Sequence, residues 1–191
     1  MKTLFLKPTE MVRGSKKAKE LEEDITSYLN VPISKANGHW PVPSNTARRA
    51  NGYTALAWKH VVVKAKTGVN LNKIADITDL TNAVEAAILA LQAGKRQWSL
   101  SHIVRHYTDS GDHGGAIITW LHEMGHQVQF QAMRMEIPTP GLNESITTYS
   151  MQDTMEWHAE HFAAWALNRA MLETHYPAIV AYFDELMGEL L

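Results

Sequence analysis

Two histidines four residues apart, with a glutamate directly after the first, stand in AIITWLHEMGHQVQFQAM: His122, Glu123 and His126. On an α-helix, residues four apart lie about 40° apart around the axis, so both imidazoles leave from one face. That spacing lets them grip a single tetrahedral ion such as Zn2+ at roughly 2.0–2.1 Å. Glu123 then points beside the metal, where it can take a proton from a metal-activated water. The pattern therefore predicts a Zn2+ cofactor and metal-assisted hydrolysis. Thr119 to Val128 are otherwise uncharged, as a buried helix requires, and Ile117, Leu121, Val128 and Ala132 supply a core-facing stripe.

A catalytic zinc uses three protein ligands and keeps one position open. The chain has no cysteine, so the third ligand must be a histidine or a carboxylate. The segment ITTYSMQDTMEWHAEHFAAWAL offers Glu156 and Glu160, again four apart on one helical face. Ser150 and Asp153 form an S-x-x-D pattern like a capping box, which predicts a helix beginning just after Tyr149 with Glu156 in its second turn. An acid buried there beside Trp157 and Phe162 costs free energy unless it is paired or coordinates a metal. A shift of one helical turn would exchange the two acids, so Glu160 rivals Glu156 as ligand. His158 and His161, next to these acids, read as exposed or satisfied polar residues.

HEMGH followed by SITTYSMQDTMEWHAEHFAAW resembles the gluzincin metallopeptidases, most closely the family of the anthrax lethal factor catalytic domain. That family shows HExGH, then Y-G/S and an ExxAExF helix; its members include proteins attached to phage heads and to bacterial toxins. The resemblance covers 118–165. It implies His122 and His126 as imidazole ligands, Glu123 as general base and Glu156 as third ligand. It further implies Tyr149 facing the substrate and Glu160 orienting a ligating histidine from behind. Ser150 replaces the usual glycine and His158 an apolar residue. The implied activity is that of a zinc metalloendopeptidase, with a polypeptide as substrate. Its alternative is a phage-particle structural or delivery protein that keeps a zincin-like fold with little activity, among other phage-particle proteins as partners.

The elements that must position these residues read as α+β and mainly helical, with a small sheet beside the HExxH helix. Leu80, Val84, Ala87, Ile88 and Leu91 predict a helix over 79–93 ending at Gly94. Aromatic and β-branched residues predict a strand over Trp98–Thr108, on which His102 and His106 would share a face without the grip a helix gives. SGDHGG at 110–115 reads as a turn delivering the HExxH helix, about 116–133, which PTPG at 138–141 stops. Further helices are expected near 152–172 and 176–190. Upstream, helices are expected over 16–29 and about 45–66, an irregular connection over 30–45 and a short strand over 69–74.

With 191 residues, 45% hydrophobic and 20% charged, the chain is long enough to bury a core without a structural metal. The net charge of −2 conceals an asymmetry. Residues 1–75 hold 13 of the 18 Lys+Arg and 5 of the 20 Asp+Glu, a surplus of eight positive charges, whereas 76–191 carry a surplus of ten negative. The expected division is a basic N-terminal segment, 1–75, packed on a zincin-like catalytic domain, 76–191. The basic segment leaves a nucleic-acid partner open, but it lacks interleaved aromatics. The first apolar run stops at Leu6, short of a cleavable signal, and nothing approaches a membrane span. The expected setting is the cytoplasm or a phage particle, with no membrane partner.

Overall fold

The computed structural model describes residues 4–5, 7–10, 33–34, 51–54, 60–63, 77–134 and 144–190. Short strand segments precede a helical body: β1 (Leu4–Phe5), β2 (Lys7–Glu10), β3 (Ile33–Ser34), β4 (Gly52–Tyr53) and β5 (His60–Val63). β1 pairs with β3 in parallel, while β5 pairs with β2 in parallel and with β4 antiparallel. The helices are α1 (Ile77–Gln92), α2 (Leu100–Tyr107), α3 (Gly111–Gln131), α4 (Thr154–His175) and α5 (Pro177–Leu190), with a 3-10 turn at Tyr149–Met151. The described residues are thus mainly helical, and none of their helices is long and apolar enough to cross a membrane.

α3 lies at the centre: every residue from His113 to Gln129 is buried. It packs on α4, on α2 and on β4 and β5, which is why its apolar residues surround the helix instead of forming one stripe. α1 buries Leu80, Ala83, Val84, Ala87 and Ile88, and α5 buries Ile179, Val180, Phe183, Leu186 and Met187. Trp120, Trp157, Phe162 and Phe183 fill the largest volumes of this core.

The expected helices over 79–93, 116–133, 152–172 and 176–190 are present with shifted ends. Three expectations are corrected. Trp98–Thr108 is not a strand: only Gln97 pairs as β, with Thr147, and α2 begins at Leu100. Ser99 caps α2 by accepting the His102 N–H at 3.1 Å. The helical spacing of Leu100, Ile103 and Val104 makes its buried face and outweighs the β-branched content. SGDHGG is a turn only at Ser110, for α3 already begins at Gly111. Gly114 and Gly115 serve proximity, since a Cβ on Gly114 would meet Val104 Cγ1 and Ser110 Cβ at 2.7 Å and one on Gly115 would overlap Arg105, whereas Gly111, at φ +51° with nothing close to it, opens the helix. The helix expected over 45–66 is interrupted by β4 and β5. The β-branched run Val61-Val62-Val63 favours pleated structure. Gly52 lies so close to α3 that a Cβ would meet Thr119 Cγ2 at 2.6 Å. The expectations over 16–29, 69–74 and 138–141, and those parts of 30–45 beyond β3, lie outside the described residues.

Candidate metal centre

α3 and α4 cross face to face at Gly125 and Ala159: a Cβ on Gly125 would meet Ala159 Cα at 2.7 Å and Phe162 Cβ at 2.9 Å. His122 and His126 stand three residues before and one after Gly125 on one helix, as Glu156 and Glu160 do around Ala159 on the other. His122 Nε2 donates to Glu156 Oε2 at 2.8 Å, and His126 Nε2 lies 3.5 Å from the same oxygen. His122 Nδ1 donates to Glu160 Oε2 at 3.0 Å, while Glu160 Oε1 accepts the Leu100 N–H at 2.6 Å. Glu156 is thus the acid nearest both imidazoles, and Glu160 stands behind His122.

Donor atoms of His122, His126 and Glu156 lie within 4.8 Å of one another, and the cluster could hold a metal ion. Tetrahedral bonds of roughly 2.0–2.1 Å require donors about 3.3–3.5 Å apart, which the His126–Glu156 separation already matches. The charge distribution also suits a cation. Burial opposes a charged His122, but its hydrogen bonds to Glu156 and Glu160 outweigh burial and hold its pKa at about 10. Burial likewise opposes the ionised Glu156, and hydrogen bonds from His122 and His126 overcome it, keeping this carboxyl far below the usual range. Positive charge is therefore drawn to this point, and a divalent ion replacing the extra proton supplies it. Two imidazoles and a carboxylate suit zinc and other borderline divalent ions alike.

Glu123 is 6% exposed. Burial raises its pKa against the lowering influence of His126 and His122. Tyr149 is placed by backbone pairing: its N–H donates to Trp98 O and that of Thr148 to Gln97 O, both at 2.8 Å. Its ring centroid lies 5.5 Å from that of His122. Burial, then the charges of Glu156, Glu123 and Glu160, push its hydroxyl well above the ordinary tyrosine range, so it remains a donor at any physiological pH. These groups open into a cavity of about 240 Å³ whose walls include Asn51, Gly52, Trp98, Ser99, Ser101 and Thr119.

α4 does not start after Tyr149. Asp153 caps it by accepting the Glu156 N–H at 2.8 Å, which puts Glu156 in the first turn, one turn earlier than the S-x-x-D reading gave. Ser150 instead exchanges hydrogen bonds with Thr147, its Oγ donating to Thr147 O at 2.9 Å and its N–H donating to Thr147 Oγ1 at 3.2 Å. That loop closure presents Tyr149. Asn168 leaves helical geometry inside α4 and caps the continuation by accepting the Met171 N–H at 3.1 Å.

His158 and His161 are buried and satisfied. His158 Nδ1 donates to Gly125 O at 3.0 Å and Nε2 accepts from Tyr182 at 3.1 Å, so this ring ties α4 to α3 and α5. His161 Nδ1 donates to Trp157 O at 2.6 Å and Nε2 accepts the Ile146 N–H at 3.3 Å. Burial lowers both, to about 3 and about 4, which keeps them neutral. Sequence reasoning missed His158 as a brace, Leu100 as the second partner of Glu160 and Gly52 against Glu123. Only the Gly125–Ala159 pair had a sequence signal, small residues at matching points of the two metal-site helices. His102 and His106 lie on α2 and take no part in this site.

No protein-family model matches the chain, and no match was found among curated proteins or solved structures.

Proposed function

We propose that the chain is a zinc-dependent endopeptidase of the gluzincin type, in a zincin-like fold whose sheet stands beside α3. One observation carries this reading. Two imidazoles from α3 and the Glu156 carboxylate from α4 converge on one point, with Glu160 behind a ligand and Glu123 beside it at a cavity. The likeness of HEMGH and the EWHAEHF helix to the gluzincin motifs supports the same conclusion.

His122, His126 and Glu156 would hold the ion. Bound there, zinc would bring the pKa of a water toward neutrality and polarise the scissile carbonyl. Glu123 takes the proton released as the water oxygen bonds to that carbonyl carbon. Its burial and raised pKa let the carboxyl hold this proton until the C–N bond breaks, when it passes to the leaving amine. Tyr149, kept protonated, donates a hydrogen bond to the carbonyl oxygen as negative charge grows there. Glu160 fixes the ring of His122 and so the direction of its Nε2.

The test is cleavage of casein or a mixed peptide library by the parent and by Glu123→Gln, each with and without a chelator. The parent should cleave and be silenced by the chelator. Glu123→Gln should retain zinc and lose about 10²–10⁴-fold in turnover, the usual worth of a positioned general base. Equal rates in parent and variant contradict the mechanism. A zinc-loaded parent that cleaves nothing favours instead a phage-particle delivery role for a retained zincin-like fold.

A further inference from the structure

The second H-x-x-x-H pair lies on a helix, which removes the objection that a strand would raise. His102 and His106 are four residues apart on α2, so their rings leave from one face about 40° apart. Their ring centroids are 4.3 Å apart, closer than the 4.9 Å between His122 and His126. The inward face of α2 is taken by Leu100, Ile103 and Val104, which are buried. His106 is exposed and His102 half-buried. Neither ring makes a hydrogen bond to any described residue, so the imidazole nitrogens are free to bind. Arg105, between them in sequence, turns away: its Nη2 donates to Thr119 Oγ1 at 3.0 Å and its Nε lies 3.8 Å from Asp112. Burial first, then the neighbouring His106 and the Arg105 charge, lower the His102 pKa, which favours the neutral imidazole that a metal requires.

We propose that His102 and His106 form a second transition-metal site on the surface of α2, separate from the one built by α3 and α4. Two imidazoles on adjacent helical turns chelate a borderline divalent ion, Cu2+ most strongly and Ni2+ or Zn2+ less so, with water in the remaining positions. With two protein ligands in place of three and an open surface setting, the site exchanges its ion more readily than the central one. Ser99 and Ser101, on the same stretch of chain, line the central cavity, so this second ion would lie on the flank of the cleft.

The experiment is a calorimetric titration of the full chain with Cu2+ in four forms: parent, His102→Ala/His106→Ala, His106→Gln and His122→Ala. The parent should take one equivalent more than the double variant, and His122→Ala should keep the weaker equivalent. His106→Gln, which leaves a polar exposed side chain on an intact helix, should weaken that equivalent by about a hundredfold through loss of chelation. Parent-like stoichiometry and affinity in the double variant and in His106→Gln would overturn the proposal. His122→Ala removes the central site alone, so loss of the weaker equivalent in that variant as well would equally overturn the proposal of a separate site.

Discussion

Glu160 serves two donors with one carboxylate, taking His122 Nδ1 on Oε2 and the Leu100 N–H on Oε1. Both oxygens must accept, and an amide offers only one acceptor. Glu160→Gln should therefore leave either the imidazole or the Leu100 N–H without its partner. We expect zinc affinity to fall about 10–100-fold, measured by competition with a chromophoric chelator, with the fold retained. Undiminished affinity would mean that this carboxylate does not orient His122. At this scale the sequence was informative because helical spacing translates directly into a shared face. His122 with His126, and Glu156 with Glu160, could be paired by counting. Which acid meets the imidazoles could not be counted, because it depends on where Asp153 starts α4 and how that helix crosses α3.

Gly125 and Ala159 set the depth of that crossing. In an exposed helix, Gly→Ala gains about 1 kcal/mol of propensity. Here the new methyl would stand 2.7 Å from Ala159 Cα, a backbone atom that cannot rotate aside. Gly125→Ala should therefore destabilise the protein by about 1–3 kcal/mol in urea unfolding, the range for overpacking. It should also weaken zinc binding, because parting the helices parts the ligands. A variant as stable as the parent with unchanged zinc affinity would show that the crossing can relax. The long helices were legible from their apolar spacing, and their ends were not. α2 was misread because Ile103, Val104 and Tyr107 favour strands when the face they bury is unknown. Gly114 and Gly115 looked like part of a turn because close approach of α2 leaves no mark in the sequence besides glycine itself. The interruption of 45–66 by strands likewise reflects contact of Gly52 with α3, a tertiary cause.

For the whole molecule, the proposed ligands join α3 and α4, which each supply more of the buried core than any other helix, so metal and fold should be coupled. At free zinc about a hundredfold above its dissociation constant, linkage contributes about 2.7 kcal/mol. For a chain of this size that is about 5–10 °C in unfolding temperature. A chelator should remove that increment in the parent and change nothing in a His122→Ala variant. The basic segment 1–75 falls mainly outside the described residues. The most direct test is zinc content after gel filtration of the parent, His122→Ala and Glu156→Ala. The account predicts about one tightly held zinc per parent chain and loss of that ion in both variants. Retention of a full equivalent by Glu156→Ala and His122→Ala alike would contradict it.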